Sequence, residues 1–257
     1  MRSRTLALAA AGAALLATTL PATAQGATVP GAPVPGAAAA RASAARMSVA
    51  GPPAAGAPAS APEGTVGAAE LLAKVTSCDQ ISHGRYRTDA GAPPTVPVCG
   101  ANGAVFWKAD LDIDCDGRRG RLCNKRTDPW FQPDTRFHQS DDRPLDAEKL
   151  PYVVVPNPSP VWDYRAAGIE GGGVAAVIHG DKVVYAVVGD TGPASSIGEA
   201  SYATAKALGI NPSPRSGGAE SDVTYILFKG AQAEPIEDHG AAVALGDTLA
   251  QRFLANN

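Results

Sequence analysis

The sequence predicts a mainly β (α+β) domain, a small β-barrel with peripheral helices, and three observations lead there. First, β-branched or aromatic runs bounded by turn residues recur at Ala104–Trp107, Tyr152–Val155, Val174–Ile178, Val183–Val188 and Val223–Phe228. Second, helical periodicity is confined to a few short stretches. Third, strands rarely alternate with helices, which disfavours a doubly wound parallel sheet and leaves an antiparallel sheet or a small barrel.

Taken in order, Val66–Val75 reads as a short helix, and Ser77–Gly103, rich in Gly, Pro and Thr, reads as a loop. Gly180-Asp181 between two of the strands signals a hairpin. A second helix is expected over Ile197–Leu208, stopped by Gly209 with Pro212 beyond, and a third over Ala241–Leu254, where Leu245, Leu249 and Phe253 repeat at helical spacing.

Arg2 and Arg4, the apolar stretch Leu6–Leu20 and Ala22-Thr23-Ala24 together predict a signal peptide over 1–24, hence a secreted, extracellular protein. The apolar stretch falls short of the ~20 residues that span a bilayer, and no later segment approaches that length, so no membrane partner is expected. Residues 25–66 form an Ala/Pro/Gly-rich linker with too little apolar surface to offset the entropy of ordering. Residues 67–257 then make one catalytic domain of ordinary size, expected to be monomeric. That part holds 18 basic against 24 acidic residues, a net charge of −6. An acidic surface of this kind is a poor nucleic-acid binder and a plausible host for a cationic ligand.

Cys78, Cys99, Cys115 and Cys123 are an even set in an exported chain, which predicts two disulfides. Three pairings exist, and closure of local loops favours Cys78–Cys99 with Cys115–Cys123. Zinc is disfavoured because there is no C-x-x-C and neither His83 nor His138 stands at ligand spacing; no metal and no cofactor is expected.

The chain lacks a G-x-S-x-G elbow, a P-loop, a dinucleotide fingerprint and H-E-x-x-H, and its four histidines are scattered. The informative stretch is Val183–Gly209. There a strand runs into Gly189-Asp190-Thr191-Gly192-Pro193, and Gly198-Glu199-Ala200-Ser201 opens the expected second helix. Asp190 and Glu199 near one edge could supply the acid and the base, or nucleophile, that glycoside hydrolysis needs. Each also has a plainer explanation: Ser196-Ile197-Gly198-Glu199 fits a capping box, and Asp190 before Thr-Gly-Pro fits a turn.

Asp110-Leu-Asp-Ile-Asp-Cys-Asp-Gly117, Pro151-Tyr-Val-Val-Val-Pro156, Gly189-Asp-Thr-Gly-Pro193, Ile197-Gly-Glu-Ala-Ser201 and Leu208-Gly-Ile-Asn-Pro212 together resemble the chitosanases of glycoside hydrolase family 75 over about 77–230. The resemblance implies endo-hydrolysis of β-1,4 glucosamine chains, that is of cationic chitosan, with Asp190 and Glu199 as the catalytic carboxylates and inversion at the anomeric carbon. The Asp-Thr-Gly motif also looks like that of lytic transglycosylases with a double-psi β-barrel, which makes that barrel type the expected architecture. Sequence leaves open which carboxylate is the acid; a helix start at Glu199 would favour its ionised form by about 0.3–1 kcal/mol and hence the base role. A binding domain without catalysis and a peptidoglycan-cleaving enzyme are the competing functions.

In an extended chain Asp110, Asp112, Asp114 and Asp116 share one face and need a counter-charge. Substrate ammonium groups, the arginines at 118, 119 and 121, or calcium could supply it, since Asp112, Asp114, Asp116 and Gly117 match the first half of an EF-hand loop. The four aspartates are read as substrate-binding. Among the aromatics, Trp107 reads as core, whereas Trp130 and Trp162 in proline-flanked loops read as exposed, and Trp130 is the expected sugar platform.

Overall fold

The computed structural model describes residues 63–257; the expected signal peptide and nearly all of the expected linker lie outside the described residues. In chain order the elements are α1 (Ala68–Lys74), β1 (Asp79–Gln80), β2 (Cys99–Ala101), β3 (Ala104–Asp114), β4 (Tyr152–Pro156), β5 (Gly173–His179), β6 (Lys182–Gly192), β7 (Glu199–Ser201), α2 (Tyr202–Leu208), β8 (Ala219–Gln232) and α3 (His239–Asn256). Strands β3, β7, β4, β6, β5 and β8 are bonded in that order, and β8 pairs back onto β3 to close a six-stranded barrel. The expected small barrel with peripheral helices is therefore present. The alternative of a purely antiparallel sheet is not, because β3–β7 and β4–β6 run parallel.

Period-two alternation divides the apolar residues between two cores. Val105, Trp107, Leu111, Val153, Val155, Val177, Val188, Tyr225 and Leu227 fill the barrel. Phe106, Tyr152, Ile178, Tyr185, Val187 and Phe228 point outward and are covered by Leu71 of α1 and by Leu249 and Phe253 of α3. Gly180, at φ +61°, makes the two-residue hairpin between His179 and Lys182, as its sequence signal predicts. Both disulfides pair as local loop closure favours, Cys78 with Cys99 and Cys115 with Cys123. Residues just before α1 are also tied down: Thr65 donates to Asp247 of α3, and Glu63 accepts the Tyr185 N–H.

Several elements differ from the sequence expectation: β6 and β8 run beyond their apolar cores, the loop expected over Ser77–Gly103 contains β1 and β2, and two further differences bear on the site. The helix expected from Ile197 begins only at Tyr202, and Glu199–Ser201 is a strand instead. Tertiary pairing overrides local propensity here: β3 takes up those three residues, and Ser201, not Ser196, caps α2 by accepting the Thr204 N–H. Ser201 Oγ is fully buried, also accepting the Tyr152 N–H and donating to the Leu150 carbonyl, which fixes β7 against β4. Strand β3 is longer than its apolar run and carries the aspartates through Asp114.

Candidate active site

Asp190 lies inside β6, not in the turn its neighbours suggest. Along β6, Val184, Ala186 and Val188 point into the barrel, so unbroken alternation would send Asp190 inward as well. The register prevents this. Val153 of β4 faces Val188, but Val154 faces Asp190, so Gly189 is an extra residue, a β-bulge that turns Asp190 to the outer face. Only glycine fits at 189, since a Cβ there would stand 2.6 Å from the Tyr152 Cβ and 2.7 Å from Leu145 Cδ1. The Asp190 side chain is buried, and its Oδ1 accepts N–H bonds from Arg136 at 2.8 Å and Thr191 at 2.7 Å. Burial raises its carboxyl above the ordinary value, and these two donors oppose the rise.

Glu199 is placed by β7, which pairs in parallel with β3 so that Asp112 faces Glu199. On its other edge β7 runs antiparallel to β4, with Ala200 opposite Val153, which sets Val154 beside Glu199. Asp112, Glu199, Val154 and Asp190 therefore form a row across four neighbouring strands on one face. Asp190 and Glu199 stand two strand spacings apart, about 9.5 Å between backbones. The Glu199 carboxyl leans toward β6, for Oε2 lies 2.9 Å from where a Cβ on Gly192 would be. Gly192 follows Asp190 by one full strand repeat of roughly 7 Å on the same face, so the two side chains face the same side of the sheet from strands on either side of β4.

Burial drives the Glu199 carboxyl up to about 7, with Asp112, Asp190 and Asp116 adding like-charge repulsion. Glu199 sits in a strand two residues before the N-cap of α2, not in the first turn of a helix, so the argument from a helix start for its role as base falls away. The two carboxyls are thus differentiated by environment: Asp190 accepts two backbone N–H bonds, whereas Glu199 is desolvated and crowded by negative charge.

Asp110, Asp112 and Asp114 do share the outer face of β3, continuing the row beyond Glu199. Asp110 is buried and pushed up to about 7 by desolvation and by Asp112; Asp116 reaches about 6, again chiefly through burial. Among the described residues none of these aspartates pairs with an arginine; the arginine ion pairs are Arg143–Asp141 and Arg165–Asp163. Nor do Asp112, Asp114 and Asp116 converge as a half EF-hand would. Asp114 Oδ1 instead accepts the Asp116 N–H at 2.7 Å and Asp116 Oδ1 the Gln132 N–H at 2.6 Å. The carboxylates that do gather are Asp89, Asp110 and Asp112. Asp89, in the loop before β2, had no motif to announce it.

Trp107 is buried and stacks on Tyr225, with ring centres 5.4 Å apart, as a core residue should. Trp162, expected in an exposed loop, is instead buried edge-on against Trp107, packed with the residues that fill the barrel. Trp130 is the exposed tryptophan, at 84%. Its neighbour Gln132 lines a hollow of about 450 Å³ beside Asp190, together with Asp116, Asp134, Arg136 and His138.

Fold and site together define a small-barrel protein with two carboxyl side chains on one face of its wall, the kind of pair that glycosidic bond cleavage uses. The chain belongs to the family described as fungal chitosanase of glycosyl hydrolase group 75, whose model matches residues 111–253. Relatives include an endo-chitosanase of Aspergillus oryzae, 37% identical over 147 residues, which are 52% of this chain and 58% of that one. Endo-chitosanase B of Aspergillus oryzae is 32% identical over 154 residues, covering 53% and 64%. An endo-chitosanase of Aspergillus fumigatus is 31% identical over 170 residues, covering 60% and 71%. The chain spans 58% of the length of the first of these. Among the described residues, no helix is long and apolar enough to cross a membrane.

Proposed function

We propose that this chain is a secreted, monomeric endo-chitosanase that hydrolyses β-1,4 linkages between glucosamine units with inversion. The row Asp190–Val154–Glu199 carries the reading, with one carboxyl held by backbone donors and the other kept protonated near neutrality across a gap wide enough for a water. Glu199 gives its proton to the departing glycosidic oxygen. Asp190 takes a proton from the water that attacks the anomeric carbon from the opposite side, so the C–O bond breaks as the new one forms and the proton count balances. Glucosamine has no acetamide carbonyl to serve as an internal nucleophile, so both carboxyls must come from the protein, and this chemistry calls for no cofactor. Asp110, Asp112, Asp114 and Asp116 suit a polycationic chain, and Trp130 offers a face for a sugar ring.

The test is loss of viscosity and release of reducing ends from deacetylated chitosan, set beside chitin and peptidoglycan. Cleavage of chitosan is expected. Retention of chitosan without cleavage, or cleavage of peptidoglycan alone, would replace the reading with a binding domain or a cell-wall hydrolase.

A further inference from the structure

On the side of Glu199 away from Asp190, Asp89, Asp110 and Asp112 each bring a carboxylate oxygen within 4.8 Å of the other two. The loop bearing Asp89 is held there by its own backbone: Arg87 N–H donates to the Ser195 carbonyl and Ile197 N–H to the Arg87 carbonyl, both at 3.0 Å. Asp110 is 6% exposed, and its Oδ1 has no hydrogen-bond partner among the described residues. It packs against Gly198, at φ +118°, where any side chain would collide with it. A buried carboxylate oxygen left without a donor is costly, and Oδ1 receives none from the described residues.

The chemistry of the missing donor can be read from the geometry. An ammonium group has three N–H donors and no acceptor, matching three carboxylates. With charge-assisted bonds of about 2.8 Å around a tetrahedral nitrogen, its acceptors lie about 4.6 Å apart. Calcium takes 6–8 oxygen ligands, which three carboxylates would supply only by binding through both oxygens or with added waters, and Asp89 and Asp112 stand exposed, open to an arriving ligand. A resident divalent charge next to Glu199 would also favour its ionised form and oppose an acid role. A hollow of about 560 Å³, with Thr88, Thr95, Lys108 and Glu220 in its lining, opens beside Asp110 and gives a sugar ring room.

We propose that Asp89, Asp110 and Asp112 form an ammonium site that reads the free 2-amino group of the sugar on the Glu199 side of the scissile bond, setting the preference for deacetylated units. The choice of substrate rests on the function proposed above. An acetylated nitrogen is neutral, keeps one N–H and carries an acyl group, so the triad discriminates by both charge and size.

The experiment compares kcat/KM on fully deacetylated and partly acetylated chitosan for the wild type, Asp89→Asn and Asp112→Asn, with melting temperatures to verify folding. Each variant is expected to raise KM on the deacetylated polymer at least about tenfold and to narrow the preference between the two polymers. In parallel, a glucosamine oligosaccharide is titrated into Glu199→Gln with and without Asp112→Asn, and weaker binding in the double variant is expected. An unchanged preference with unchanged oligosaccharide affinity overturns the site. So does a calcium-dependent rise in melting temperature that vanishes in Asp112→Asn, which would make it a metal site. A wild type unable to cleave chitosan counts instead against the proposed function, and the titration still decides the triad.

Discussion

Gly192 and Glu199 meet over β4: a Cβ at 192 would stand 2.9 Å from Glu199 Oε2 and 3.1 Å from Val154 Cγ1. The glycine leaves the space that the glutamic acid occupies above β4. Gly192→Ala should therefore push the carboxyl aside with little cost to folding, since the displaced atom ends a flexible side chain. We expect kcat to fall about tenfold or more, in line with the sensitivity of catalysis to small misplacements, and the melting temperature to change little. Unchanged turnover would mean that the leaning position of Glu199 is not the one used.

Asp190→Asn and Glu199→Gln should each lower turnover at least about a hundredfold, as removal of a general base or acid does. The melting curves separate this from a structural effect. Glu199→Gln should be as stable as the parent or more so, because it removes a desolvated carboxyl. Near-normal kinetics in either variant would take that residue out of the mechanism.

Under the proposed mechanism the pH dependence of kcat/KM should have a descending limb near 7, where Glu199 would lose the proton assigned to it as acid. Its ascending limb should reflect ionisation of Asp190, which burial places above the ordinary aspartate value. Asp112→Asn removes the leading like charge on Glu199 and should move the descending limb to lower pH. A profile flat from 6 to 9 would contradict the assignment of Glu199 as acid.

Stability should run with the opposite sign from that of ordinary salt-bridged carboxylates. Folding raises Asp110 and Glu199 to about 7 and Asp116 to about 6, so the folded state binds protons more tightly than the unfolded chain. Their contribution is fully present below the unfolded values near 4 and is lost as pH rises through 6 to 7. Asp141 and Asp163, lowered by Arg143 and Arg165, act only at more acid pH and are exposed and screened. The melting temperature should be lower at pH 8 than at pH 5, with a smaller difference in Asp110→Asn. Calorimetry over that range checks it, and a rise toward pH 8 would refute it.

Much of the barrel was legible because its strands are β-branched runs between turn formers, and the Gly180-Asp181 hairpin and local disulfides follow from short-range rules. Asp190 and Glu199 can be picked out of the sequence as a candidate pair, but their settings cannot. Asp190 depends on a register shift at Gly189, which exists only once β4 is alongside, and Glu199 on a parallel pairing with β3 that overrides the helix its neighbours favour. The burial of Trp162 and the arrival of Asp89 beside Asp110 and Asp112 are likewise long-range events, invisible to spacing along the chain.

The central claim is that a water stands between two carboxyls on strands separated by β4. The two strand spacings with Val154 between them motivate the proposed single displacement; direct attack would need carboxyls only about 5–5.5 Å apart. Proton NMR of the first products from chitosan, taken before mutarotation, measures the outcome. The account predicts that the α-anomer appears first from the β-linked chain. Initial release of the β-anomer, or a trapped glycosyl-enzyme adduct on Asp190 or Glu199, would contradict it.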